Sequence, residues 1–489
     1  MMRFREHGWL IVLAWFGFAQ AVRLASAEPP GDAMPPSADE RRLITPAEYL
    51  SALSAPKFRA GHGLPPLTRF GWTLPFDARI VLAERFGYAL EFGGYADAEK
   101  VRAKLANPDS EASKLVALCA SDPKRYPLAV ICSRQLPKGA EWDVWTRDAE
   151  GRLLDAKALS LDGTEWNPGM KTVYSPLAGD EYWRQAGELR AEGLRLIRQK
   201  CPIAIVLNGG EYGLGVLGFA QQVWEKDPRI VAAKGDRPWF DYISERKAHF
   251  ETLIAERVRA AAPDRLFYIY YTAGGGTHRN VIDHWRQWCH GWEWMKGVSD
   301  LPSNEAYYRH FNDGWSGKHD MLTLALNAAA REIADGKPLS YNWLCAGWER
   351  PDRDDGGFGD LDRYRGFLRC YYTAGMIGGN AGYYAYPKGG FGAKFPADQP
   401  PHWLRQMVVL AEVHAQFSHL EEYLREGDLL PGPDRHRISP ELPAYELPTG
   451  EPNVRVLARK HRRRDEWLLV AWAAAGEARR VEVDVAGLG

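Results

Sequence analysis

Cysteine is scarce in this sequence, at 6 in 489 residues, and no two stand as C-x-x-C, so a compact structural zinc site is excluded. No H-E-x-x-H occurs, which removes the usual helical zinc-hydrolase pattern. No Gly-x-Gly-x-x-Gly turn opens the first strand–helix unit, and Gly274-Gly275-Gly276-Thr277 lacks the lysine of a phosphate loop. There is no N-x-S/T sequon. Charge of one sign is missing as well: 62 Lys and Arg stand against 63 Asp and Glu, a net charge of −1. Nothing therefore steers the chain toward nucleic acid or an anionic membrane. The apolar run from Trp9 to Val22 is too short to span a bilayer.

What the chain does have is tryptophan, 19 copies, more than a core alone requires and suited to stacking on the flat faces of a ligand such as a sugar. The N-terminus reads as an export signal over residues 1–27. Arg3 and Arg5 precede the apolar run, and Ala25-Ser26-Ala27 satisfies the small-x-small cleavage rule. The expected location is secreted or periplasmic, with no integral membrane segment after cleavage. Residues 28–79 form a Pro-, Ala- and Ser-rich lead-in.

From there strands alternate with helices. Strand candidates fall at 88–92, 126–132, 171–174, 203–207, 266–271, 305–311, 339–344 and 381–386, and residues 141–160 read as a hairpin turning at 148–151. Eight such units favour an α/β fold, a (β/α)8 barrel over residues 80–428, rather than an open sheet. A proline-marked linker leads to 429–489, where "VRVLARK", "EWLLVAWAA" and "RRVEVDV" alternate like strands of a small C-terminal β-sandwich. The run Lys460–Arg464 sits between two of them and reads as a solvated hairpin tip.

In such a barrel the chemistry lies at the C-terminal ends of the strands. Those positions carry acids and aromatics with almost no lysine, a lining for a neutral, hydroxyl-rich ligand. Glu211 follows the buried run Ile203–Leu207, and Glu349 follows "YNWLC". Two carboxylates so placed are what glycosidic cleavage needs: one held protonated to donate to the leaving oxygen, the other to attack the anomeric carbon or activate water. Glu91, Asn208, Tyr271, His310, Trp348 and Tyr384 are the candidate sugar-lining residues. Glu305, preceded by Asn304, is a rival acid that starts its strand instead of ending it.

On these residues the chain resembles the clan A superfamily of retaining (β/α)8 glycoside hydrolases. That resemblance implies a general acid/base after the fourth strand, Glu211, and a nucleophile at the end of the seventh, Glu349. It also implies a carbohydrate substrate and no organic cofactor. Two departures stand out: Gly209-Gly210 separate Asn208 from Glu211, where the clan has asparagine directly before its acid, and Arg350 neighbours Glu349. Other readings remain. A non-catalytic carbohydrate-binding barrel would keep the aromatics without the acid pair. A metal-dependent hydrolase would use His310, Asp313, His319 and Asp320, although their spacing matches no compact ligand motif.

Overall fold

The computed structural model describes residues 9–14, 42–70, 74–132, 137, 144–154, 174–208, 217–263, 267–270, 290–307, 320–345, 361–381, 392–433, 438–474, 481 and 483. The strands in chain order are β1 (Trp9–Ala14), β2 (Leu43–Ile44), β3 (Arg69–Phe70), β4 (Leu90–Gly93), β5 (Leu128–Cys132), β6 (Ile205–Asn208), β7 (Phe267–Tyr270), β8 (Glu305–Tyr307), β9 (Ser340–Cys345), β10 (Met376–Ala381), β11 (Phe395–Pro396), β12 (Gly427–Leu429), β13 (Val454–His461) and β14 (Glu466–Ala473). The helices are α1 (Pro46–Ala52), α2 (Phe76–Phe86), α3 (Ala98–Ala106), α4 (Glu111–Ser121), α5 (Asp180–Arg198), α6 (Leu217–Trp224), α7 (Pro228–Lys234), α8 (Trp239–Ala261), α9 (Trp292–Met295), α10 (Met321–Ala334), α11 (Leu361–Thr373), α12 (His402–Ser418) and α13 (Glu421–Glu426). They fall into two units, one of residues 89–306 and 314–343, the other of residues 1–88, 307–313 and 344–489.

In the first unit β4, β5, β6 and β7 form a sheet in that order with every neighbour parallel. Leu128, Ala129, Val130, Ile205, Val206 and Leu207 are all buried, so β5 and β6 are covered on both faces. That is why they read as unbroken apolar runs instead of alternating ones. Helix α5 buries Tyr182, Trp183, Ala186, Ala191, Leu194 and Ile197 along one stripe and packs on α8. Gly187 sets the closeness of that crossing, since a Cβ there would stand 3.1 Å from the Cα of Ile254. Gly193 of α5 lies against backbone: an added Cβ would come 1.6 Å from the Tyr95 carbonyl oxygen. Gly193→Ala is expected to destabilise by about 1–3 kcal/mol or more, because backbone cannot rotate aside as a side chain can. An unchanged urea midpoint would contradict that contact. β8 and β9 run parallel, with the amides of Tyr341 and Trp343 donating to the carbonyls of Pro302 and Asn304, both at 2.8 Å.

In the second unit β3 pairs in parallel with β10, and Leu67 bridges Tyr88 in parallel. β12, β13 and β14 form an antiparallel sheet whose outer edge carries β1, parallel to β14. This sheet lies on α11: a Cβ on Gly366 would meet the Trp472 ring at 2.2 Å. Buried Arg459 of β13 caps carbonyls of helical segments, donating to Thr373 at 2.5 Å, Gly427 at 2.9 Å and Tyr423 at 3.2 Å. Arg455 and Glu446 form a buried two-pronged ion pair at 2.5 and 2.7 Å.

Several expectations change. Of the strand expected at 171–174 only Tyr174 is described, and it forms an isolated antiparallel bridge with Trp145 while β5 pairs directly with β6. A two-residue strand, β3, lies within the expected lead-in. β10 spans Met376–Ala381 and so reaches the first residue of the strand expected at 381–386, whose remaining residues lie outside the described ones. The hairpin holds over 146–154, where Arg147 bridges Leu153 and Gly151 takes φ +78°. The charged tip after β13 is not simply solvated. Arg462 pairs with Asp428, Arg463 with Glu426, and Arg464 with Glu422, which neutralises the basic run. Tryptophans 183, 224, 292, 343, 403 and 472 are buried, and Trp183 stacks on Phe250 at 4.5 Å. These six serve the core, not a ligand platform.

Candidate active site

β6 ends at Asn208, which is paired on both sides, with Cys132 of β5 and Tyr270 of β7. Glu211 follows three residues later, and Glu349 follows Cys345, the last residue of β9, by four. Glu211, Glu349, Tyr271, His310, Trp348 and Tyr384 themselves lie outside the described residues.

Glu91 and Asn208 are within them. Glu91 is the second residue of β4 and shares its rung with Ala129, Ile205 and Phe267. It stands three rungs and two strands from Asn208, which puts their backbones about 14 Å apart from the standard strand rise and spacing. The structure does not bring these two together. Lys104 of α3 sits 5.2 Å over the Phe92 ring and donates to the Gly93 carbonyl at 3.1 Å, so Phe92 faces the helices. Alternation along β4 turns half-buried Glu91 to the opposite face.

Glu305 is the first residue of β8, as its sequence context suggested. Asp320 caps α10, accepting from the Thr323 amide at 2.8 Å, an engagement that competes with metal ligation. No cluster of three metal-ligating side chains occurs among the described residues. The buried thiols of Cys119, Cys201 and Cys370 are pushed up by burial, Cys201 to about 11 and Cys370 to about 12, which leaves little thiolate for nucleophilic work.

Sequence reasoning passed over one buried carboxyl. Glu332 of α10 is 2% exposed, and its Oε1 accepts from Asn304 Nδ2 at 2.7 Å. The Asn304 amide donates to Asn342 Oδ1 at 2.9 Å, and Asn342 Nδ2 donates to Ser340 Oγ at 2.8 Å. Asn342 therefore stitches β8 to β9 instead of facing a ligand. Burial pushes the Glu332 carboxyl up to about 8, against hydrogen bonds from Asn304 and Ser340 and the charge of Lys337. The folded chain so keeps a proton that the unfolded chain releases near 4.5. This contribution to stability is complete below about 4.5 and is lost as pH rises through about 8. Glu332→Gln, a shape match for the neutral acid, should remove that slope and raise the melting temperature at pH 8–9. A variant no more stable than wild type there would show that the acid is ionised. The signal in the sequence was a lone acid within "MLTLALNAAAREIA", an otherwise largely apolar helix.

The glycines after β6 also spell Gly213-x-Gly215-x-x-Gly218 ahead of α6. A dinucleotide turn needs its next strand within a unit of about 30 residues, and here β7 begins only at Phe267. The spacing is coincidental.

No protein-family model matches the chain, and no curated protein matches it. Solved structures similar to it include a β-galactosidase from the Antarctic haloarchaeon Halorubrum lacusprofundi, at 10% identity and TM-score 0.42, over 74% of this chain and 58% of that one. Another is a GH30 endoxylanase from Clostridium papyrosolvens C71, at 9% identity and TM-score 0.36, over 83% of this chain and 84% of that one. The chain thus spans under two thirds of the β-galactosidase. The activities named belong to those enzymes; the chemistry of this chain rests on its own residues.

Proposed function

We propose that the protein is an exported glycoside hydrolase that cleaves a poly- or oligosaccharide by a two-carboxylate retaining mechanism, on a (β/α)8 barrel closed by its eight parallel units. The observation that carries this reading is the end of β6: a strand buried on both faces, paired on both sides, and stopping three residues before Glu211. Carboxylates at that end of a parallel strand are where barrel enzymes keep their chemistry. Glu211 donates its proton to the leaving glycosidic oxygen while Glu349 attacks the anomeric carbon. Glu211, now a base, then draws a proton from the water that releases the sugar. Glu91, Asn208, Tyr271, His310, Trp348 and Tyr384 bind the sugar hydroxyls and ring faces.

The test is release of reducing ends from a broad glycan panel by the secreted protein, with the first-formed anomer followed by NMR. Chelator-resistant release with retained configuration supports the reading. Chelator-sensitive release would favour a metal hydrolase at His310, Asp313, His319 and Asp320. Glycan binding without release would make the protein a carbohydrate-binding barrel.

A further inference from the structure

Residues 54–67 form a strap between α1 and β3, held down on α12 and α13 of the same unit. The Arg59 amide donates to Ser418 Oγ and its Nε to the Ser418 carbonyl, both at 2.8 Å. Its guanidinium also pairs with Glu421 Oε1 at 2.8 Å. The Gly63 amide donates to Glu421 Oε2 at 2.7 Å, and Arg425 donates back to the Gly63 carbonyl at 2.9 Å. The His419 ring meets the Lys57 carbonyl at 3.0 Å. Under these bonds Phe58 presses on Gly87, where an added Cβ would stand 2.6 Å from the ring.

Phe58 also touches two imidazoles, stacking on His62 at 5.7 Å and meeting His414 edge-on at 6.1 Å; the two histidines are 6.3 Å apart. His414 is 1% exposed and His62 half-buried. Nδ1 of His414 shares a hydrogen bond with the Tyr372 hydroxyl at 3.0 Å. Its Nε2 looks toward the Pro65 carbonyl without a hydrogen bond of normal geometry, and Nδ1 of His62 has no hydrogen-bond partner. Neither ring faces a carboxylate at bonding distance. Arg59 and His419 crowd His62 with positive charge, and Glu421 opposes them.

We propose that this strap is an acid-released latch: protonation of His62 and His414 frees residues 57–63 from α12 and α13 while the rest of the fold persists. Burial, and then the charge of the other histidine, holds His414 down to about 3. Burial also lowers His62, with Glu421 pulling the other way and Arg59 and His419 adding to the fall. Freed imidazoles titrate near 6.5. Closure is therefore complete above that pH and weakens as pH falls toward the closed-state values. Each histidine favours the open strap by up to about tenfold per pH unit, and the pair by up to about a hundredfold.

Hydrogen–deuterium exchange on the full chain between pH 7.5 and 5, corrected for the intrinsic rate, reads this through the Arg59 and Gly63 amides. Wild type should show strap opening that steepens below pH 6.5 while β5 and β6 stay protected. His62→Gln should halve the logarithmic slope, and His62→Gln/His414→Gln should flatten it. A strap whose exchange is independent of pH overturns the latch, as does loss of protection in β5 and β6 together with it. A wild-type slope in the double variant also overturns it. Should the buried substitution prevent folding, the halved slope of His62→Gln alone decides the matter.

Discussion

Glu211→Gln should lower glycosidic cleavage by about 10²- to 10⁴-fold, the range for losing a positioned general acid, or roughly 2.7–5.4 kcal/mol of barrier. Glutamine keeps the shape and the acceptor oxygen but has no proton to give. The loss should be largest on substrates with poor leaving groups and shrink on activated aryl glycosides, which need no protonation to depart. Glu349→Gln should fail on both, because it removes the attacking oxygen itself. Glu305→Gln is the internal control. That residue begins β8, at the opposite end of the strand from the proposed chemistry, and its substitution should change the rate by less than about tenfold, well short of the loss expected for a general acid. Equal rates for wild type and Glu211→Gln would move the acid elsewhere in the chain.

Glu446→Ala should cost about 3–5 kcal/mol, enough to unfold a chain of ordinary stability on mild heating. The reason is the partner left behind. Arg455 is 3% exposed, and both of its bonds to Glu446, at 2.5 and 2.7 Å, are buried. Removing the carboxylate strands a guanidinium where water cannot reach it. Replacing the pair together, Glu446→Leu with Arg455→Met, should cost much less, because neither charge then has to be dehydrated. Urea denaturation of Glu446→Leu, Arg455→Met and the double variant gives the coupling directly. Equal losses for single and double variants would mean that packing around Glu446, rather than the stranded charge, sets the cost. Arg462, Arg463 and Arg464 offer the contrast: their pairs at the exposed tip are screened, and losing any one should leave the urea midpoint nearly unchanged.

The strands legible in the sequence were those with unbroken apolar runs. β5 and β6 need only buried neighbours on both faces, and runs such as Leu128–Cys132 and Ile205–Asn208 announce that by composition. β3 was not legible because it has two residues, and β10 because Met376-Ile377-Gly378-Gly379-Asn380-Ala381 carries a glycine pair where β-branched residues would signal a strand. β3 is a strand only because it pairs with β10. At 171–174 composition suits a strand, but the one described residue, Tyr174, forms an isolated antiparallel bridge with Trp145. Only the bonds of Asn342 to Asn304 and Ser340 reveal it as a stitch between strands.

By itself the sequence determined the local terms: which runs are buried on both sides, where the 146–154 hairpin turns, and that Glu211 follows one of the buried runs closely. These depend on periodicity, turn residues and apolar content, properties of neighbours along the chain. Tertiary structure alone decided that Glu332 holds its proton, that Arg455 and Arg459 are buried, and that His62 and His414 share Phe58 across hundreds of residues. A charge or a proton is stabilised by what surrounds it in space, and burial and distant partners leave no mark on the residues beside it in the chain.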